Sequence, residues 1–290
     1  MKIAYLILAH GNPRHLARLV AALSSSRADF FVHIDRKSDI LPFAEIQGQA
    51  IHYSDTRIPV YWGDYSIVEA TLILLRCAFD WAKNFDRFVL LSGADYPVRT
   101  SAHIERFFEM NSDVEFMNLV AMPCDAAGKP ISRLNTYTFR PQDGVVRRFA
   151  RKALVKLKVL PRHRDHQACL AGLKPYAGST WWALTRGAVQ HVIDFTDNKR
   201  EIVDFFKNTS IPDESFFQTI LCNSIFQHKV RRNLTYADWS KGGKSPRLLT
   251  AADLSLLQSK PEFPASDIYG SGEIMFARKF SDDSQIQSTT

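Results

Sequence analysis

The chain has 290 residues, 46% of them hydrophobic and 20 of them phenylalanine, enough for a sizeable core and too apolar for a disordered chain. Lysine and arginine outnumber aspartate and glutamate by 37 to 30, and the resulting charge of +7 suits phosphorylated ligands, nucleic acid or anionic membrane without choosing among them. Cys77, Cys124, Cys169 and Cys222 are scattered and form no C-x-x-C pair, which argues against a zinc knuckle, a redox motif or a disulfide-built scaffold.

The N-terminus reads MKIAYLILAHGNP. Its apolar run is too short for the roughly 20 residues of a membrane span, and no small-residue cleavage site follows it. It predicts a buried first strand over 3–8 and a cytosolic protein, in which the N-x-[ST] matches at Asn208 and Asn233 are chance. Asn12-Pro13 then predicts a helix start, with Leu16, Leu19, Val20 and Leu23 facing inward. A second strand is expected over 30–34, completing a β-α-β unit. Ser66 and Glu69 match a capping box, opening a helix to about Lys83.

Further strands are expected over 88–91, 115–120 and 181–184, with helices over 102–110, up to about 206, and after 213. This alternation predicts an α/β fold with a mostly parallel central sheet and helices on both faces. Such sheets bind ligands beyond the carboxyl ends of their strands. Three polar or small strand-end loops, 9–11, 35–38 and 92–95, fall there. The segment 145–164 is a basic amphipathic helix by pattern, read first as a solvated face and second as a contact for membrane or an anionic acceptor. Residues 281–290 are polar and read as a disordered tail, leaving 1–280 as one domain.

No G-x-G-x-x-G, G-x-x-x-x-G-K-[ST] or G-x-S-x-G occurs, so dinucleotide, P-loop and serine-hydrolase chemistry lack support. His163-Arg-Asp165-His166 has no third ligand in view and reads as a surface loop rather than a metal site. In IPDESFFQT (211–219), Pro212 and Asp213 predict a helix start with Asp213 as N-cap. Glu214 then falls in the first turn, where a carboxylate is stabilised. Phe216, Phe217 and Ile220 supply the apolar face.

The ordered series ILAHGNP (7–13), VHIDRKS (32–38), VYWGDYSIVEATL (60–72), LSGADYP (91–97), GSTWWAL (178–184), PDESFFQTIL (212–221), SPRLLTAADL (245–254) and FARKF (276–280) resembles the core-2/I-branching N-acetylglucosaminyltransferase family. That family also holds the peptide O-xylosyltransferases. FARKF alone would be a weak signal; the series, from about Ile3 to Phe280, is strong. The resemblance implies a GT-A-like nucleotide-sugar fold, an inverting transfer and no metal ion. With Met1 almost directly on the first strand, the chain looks like a soluble bacterial member.

A departing diphosphate must be stabilised by a cation or by fixed positive groups. Metal-using enzymes of this architecture place a D-x-D motif at a strand end. None occurs here, and the nearest match, Asp113-Val-Glu115, precedes a strand. By the resemblance, Lys279 holds the phosphates, with Arg278 and Arg247 as further candidates. Glu214 is the general base that takes the acceptor hydroxyl's proton, desolvated in part by Phe216, Phe217 and the bound acceptor, and Asp213 is its structural neighbour. Ala9, His10 and Gly11 meet the uridine, while Asp35 and Lys37 hold base and ribose. Asp95 contacts the donor sugar or ribose, or else only begins the turn before Pro97.

Ser179, Thr180 and Trp181 line the sugar or acceptor pocket. Thr180 replaces an acid of the xylosyltransferases, which disfavours xylose transfer to peptide. Trp62 and Trp182 read as core. The expected reaction is transfer of N-acetylglucosamine from its UDP-sugar to a hydroxyl of a glycan or lipid-linked glycan, with no cofactor and no nucleic-acid partner. The basic segment would guide that substrate at the inner face of the membrane. UDP-xylose or another UDP-hexose is the alternative donor. A non-catalytic basic protein binding nucleic acid or anionic membrane is the alternative class.

Overall fold

The computed structural model describes residues 1–46, 50–140, 144–161, 163–243, 245–284 and 286, with backbone alone at 144, 145, 147, 148, 151 and 152. The first half of the chain runs β1 (Ile3–Ala9), α1 (Pro13–Leu23), β2 (Ala28–Ile34), α2 (Leu41–Ala44), β3 (Ile51–Tyr53), α3 (Ser66–Phe79), β4 (Arg87–Ser92), β5 (Asp95–Pro97) and α4 (Ser101–Met110). There follow β6 (Glu115–Met117), β7 (Val120–Ala121), α5 (Ser132–Asn135), α6 (Gly144–Lys156), α7 (His166–Cys169), β8 (Tyr176–Ala177), β9 (Trp182–Thr185), α8 (Arg186–Asn198) and α9 (Arg200–Lys207). The last part holds α10 (Phe216–Cys222), β10 (Val230–Arg231), β11 (Thr235–Ala237), α11 (Ala251–Ser259), β12 (Glu262–Phe263), β13 (Gly272–Glu273) and β14 (Phe276–Arg278).

Seven strands form the central sheet in the order β10-β6-β9-β4-β1-β2-β3, and only β9 runs antiparallel to its neighbours. The expected mostly parallel α/β sheet is therefore present. Side chains alternate across it, as a pleated strand requires. Ala4 and Leu6 of β1 pack with residues of α3, α8 and α10, whereas Ile3, Tyr5 and Ile7 pack with α1 and α4. Burial on both faces is why β1, β2 and β4 read as continuous apolar runs.

Two registers position the site. Ala9 pairs with Ile34 and Leu8 with Ser92, so β1, β2 and β4 end level with one another. A second sheet, β11-β14-β5, sets Arg278 opposite Asp95 and so carries the FARKF segment back to that edge.

Several local expectations fail for identifiable reasons. Asn12 sits in the left-handed region (φ 58) and does not cap α1; its side chain accepts from the Asp282 N–H instead, at 3.2 Å. Ser66 and Glu69 form no capping box, because the Ser66 hydroxyl accepts from the Tyr61 N–H at 2.9 Å; α3 also stops at Phe79. The start of the expected disordered tail packs on α1, where Asp282 Oδ1 accepts from the His15 N–H at 2.7 Å. Residues 285 and 287–290 lie outside the described residues. Arg164, read as part of a solvated basic face, is buried and donates to the carbonyls of Asn208 and Phe205.

Candidate active site

The carboxyl edge of the sheet is fixed by main-chain hydrogen bonds. The Ala9 carbonyl accepts from the Asp35 N–H at 2.8 Å, the Leu8 carbonyl from the Gly93 N–H at 2.9 Å, and the His10 carbonyl from the Ser38 hydroxyl at 2.7 Å. Gly93 permits this approach, since a Cβ there would lie 2.8 Å from that of Ala9. At Gly11 a Cβ would meet nothing within 4 Å. Asp35 is buried; its Oδ1 accepts from the N–H groups of Lys37 and Val60, and its Oδ2 lies 3.2 Å from the Lys37 ammonium. That ammonium also donates to the Val60 carbonyl and stands 4.0 Å from the Tyr61 ring centroid.

His10 ties this edge to the C-terminus. Partial burial lowers its pKa, and the charge of Lys279 lowers it further against the opposing pull of Asp35. His10, Asp35, Lys37 and Lys279 thus form one electrostatic cluster. Asp95 and Arg278 adjoin it, both acting on Lys279. Asp95 is fully buried and accepts from the Ser92 N–H at 3.0 Å and the Ser92 hydroxyl at 2.8 Å. Arg278 is buried as well, 3.4 Å from Asp95 and 3.8 Å from the centroid of the Trp181 ring. Burial lowers the pKa of Lys279, and Arg278 adds to that effect.

A second corner forms around 211–214. Ile211 is left-handed (φ 49), a strained conformation for a β-branched residue, and its N–H donates to the Gly63 carbonyl at 3.0 Å. Pro212–Glu214 is a 3-10 turn, and α10 begins only at Phe216. Asp213 is therefore not the N-cap of α10, and Glu214 is not in its first turn. Asp213 instead accepts from the Thr180 hydroxyl at 2.6 Å. Burial pushes its pKa up to about 6, and the adjacent Glu214 charge adds to this. Glu214 Oε2 accepts from Lys129 Nζ and Arg133 Nη1, each at 2.5 Å.

Backbone packing locks the corner. The Glu214 carbonyl accepts from the Gly178 N–H at 2.8 Å, and a Cβ on Gly178 would fall 1.7 Å from the Asn118 carbonyl oxygen. The Ser179 hydroxyl accepts from Asn233 Nδ2, and the Ser179 carbonyl from Gln218 Nε2, both at 2.7 Å. Phe216 and Phe217 pack edge-on to each other in the core, with ring centroids 5.2 Å apart. The partners of the Glu214 carboxylate are two cations.

A family model, described as Core-2/I-Branching enzyme, matches residues 3–259. The chain belongs to the core-2/I-branching enzyme family. It is 30% identical over 253 residues to Xylosyltransferase 2 of Homo sapiens, covering 83% of this chain and 27% of the relative. Xylosyltransferase 1 of Canis lupus familiaris is 28% identical over 252 residues, with 83% and 24% covered. The chain thus spans about a quarter of the length of these relatives. A solved 4-diphosphocytidyl-2C-methyl-D-erythritol synthase from Anaerococcus prevotii superposes at a TM-score of 0.35 with 9% identity, over 71% of this chain and 83% of that one, too distant to bear on this core-2/I-branching enzyme.

Within this family member, Ala9, His10, Gly11, Asp35, Lys37 and Lys279 come together at the edge, and Thr180 joins Glu214 through Asp213. Arg247 lies apart from this pattern, held between Asp238 at 2.7 Å and Asp253 at 2.9 Å. Those hydrogen bonds raise its pKa, that to Asp253 first. Trp182 is core as expected, but Trp62 is 65% exposed. It stands in a loop that touches Lys37 through Val60 and Ile211 through Gly63, linking edge and corner.

Lys129, Arg133 and Tyr269 are additional members of the site. Tyr269 has its pKa pushed up to about 12 by burial first and then by the charge of Glu214. None of the three stands in a motif, and no sequence signal marks them. Among the described residues, no group of three or more His, Cys, Asp or Glu side chains is placed to hold a metal ion. Glu115 of the Asp-Val-Glu stretch is buried and accepts from the Thr185 N–H and hydroxyl.

Proposed function

We propose that this chain is an inverting glycosyltransferase that moves a sugar from a UDP-sugar to a hydroxyl of a glycan acceptor, with Glu214 as general base. The asymmetry of the Glu214 carboxylate carries this reading. Oε2 is held by Lys129 and Arg133, while Oε1 takes no hydrogen bond among the described residues. One oxygen fixes the orientation and the other is open to a proton. Oε1 takes the acceptor's hydroxyl proton as the acceptor oxygen bonds to the anomeric carbon. The bond from that carbon to the diphosphate breaks on the opposite side, and UDP leaves with the bonding pair.

The growing charge on UDP needs fixed positive groups close by. We assign that task to Lys279. Arg278 beside it orders Asp95 and Trp181, so it acts as a support rather than a ligand. We read Asp95 likewise as shaping the turn of 92–95 through Ser92. Arg247 reaches phosphate only by leaving its two carboxylates. Lys279 and the missing D-x-D support a transfer that needs no divalent ion. The exposed Trp62 offers a flat face for a pyranose between edge and corner.

The family resemblance favours N-acetylglucosamine as the sugar, whereas the names of the matched relatives favour xylose. UDP release from UDP-N-acetylglucosamine, UDP-xylose and UDP-glucose, measured with chelator present, separates these donors. We expect turnover of one of them, lowered about 10²- to 10⁴-fold in Glu214→Gln with UDP affinity retained. Near-normal turnover in that variant would move the base elsewhere, and a strict need for a divalent ion would overturn the role given to Lys279.

A further inference from the structure

Of the apolar residues in α6, at 145, 146, 149, 150, 153, 154 and 155, those at 146, 149, 150, 153 and 154 recur at helical spacing and the pattern continues to 157, while Val155 lies off it and is half-buried. This spacing lays the recurring residues along one helical face. In a soluble domain such a face turns to the core. Here it turns outward: Val146 is 83% exposed, Phe149 66%, Leu154 37% and Leu157 71%, with Ala150 and Ala153 exposed between them. Val159, just beyond the helix, is 66% exposed.

The segment is also strongly cationic. Arg147, Arg148, Arg151, Lys152, Lys156 and Lys158 alternate in sequence with the apolar positions, and no acidic residue occurs from Gly144 to Arg164. Arg164 takes no part, being buried against Phe205.

We propose that α6 is an in-plane docking helix for an anionic lipid surface, with its apolar face in the headgroup boundary and its basic residues toward lipid phosphates. Charge decides among the occupants. A second copy of the chain would bring two such cationic helices together and repel. Nucleic acid would meet the positive charge but leave the apolar face in water. An anionic bilayer matches both features at once. No helix among the described residues is long and apolar enough to cross a membrane, so the contact is peripheral. It would hold the site of the proposed transfer beside acceptors carried on lipid, yet its test does not depend on that transfer.

The test is co-sedimentation of the full chain with phosphatidylcholine vesicles, with and without about 30 mol% phosphatidylglycerol. Binding is expected to the anionic vesicles and to be at least about tenfold weaker to the neutral ones. The double substitution Val146→Glu, Leu157→Glu should lower anionic binding by at least about tenfold, with the thermal melt unchanged because both positions are exposed. Lys156→Glu, Lys158→Glu should weaken it as well. No binding to anionic vesicles, equal binding to both vesicle types, or full binding by the apolar variant would overturn the proposal. So would concentration-dependent dimerisation that the apolar variant abolishes.

Discussion

The carboxyl edge of the sheet and the corner around Glu214 are built by different means. At the edge, parallel strands end level, and main-chain groups of 8–10 take hydrogen bonds from the loops that follow β2 and β4. At the corner, side chains do the joining: Lys129 and Arg133 reach Glu214 across 85 and 81 residues of chain, and Thr180 reaches Asp213 across 33. The edge rests mainly on the backbone, with Gly93 allowing the close approach to Ala9 and the Asp35 carboxylate tying the loop after β2. The corner depends on particular charges in a partly dry setting, so single substitutions there act strongly and specifically.

Asp213 offers the largest effect on which this contrast can break. Its pKa rises from 3.8 to about 6 in the folded protein, because burial disfavours the charged form. With the folded value above the unfolded one, Asp213 contributes stability fully below pH 3.8, and that contribution is lost as pH rises through about 6. Asp213→Asn removes the dependence. Urea unfolding at a series of pH values should show wild type losing roughly 3 kcal/mol relative to the variant across this window. A difference that stays constant with pH would mean the corner is as wet as an ordinary surface.

A smaller effect sharpens the contrast. Lys129→Met leaves Glu214 Oε2 with Arg133 alone, so kcat should fall roughly 10- to 100-fold through misplacement of the base. UDP affinity should stay unchanged, since the edge is untouched. If UDP affinity fell together with kcat, edge and corner would be one unit.

The same contrast explains what was legible in the sequence. Buried strands β1, β2 and β4 announce themselves as apolar runs, and the loops after them follow from strand direction. Strands of two or three residues, such as β5 and β10, carry too little pattern to read. Helix starts misled where a side chain had a tertiary partner: Ser66 accepts from Tyr61, and Asp213 accepts from Thr180. Local propensity cannot register such partners. Trp62 misled through hydrophobicity, since an exposed aromatic at a site looks in sequence like a buried one. Lys279 stands out in the FARKF block, where neighbours on an extended strand point to opposite sides, and the structure buries Arg278 beside Asp95.

In the proposed transfer a lysine at the strand edge, rather than a divalent ion, answers the charge of the nucleotide diphosphate. Calorimetric titration with UDP, in chelator and again in magnesium, measures this on wild type and on Lys279→Ala. Equal wild-type affinity in both buffers is expected, with roughly tenfold weaker binding by the variant, the scale of one hydrogen bond to a charged group. Wild-type binding that appears only with magnesium, or a variant that binds as tightly as wild type, would contradict the account.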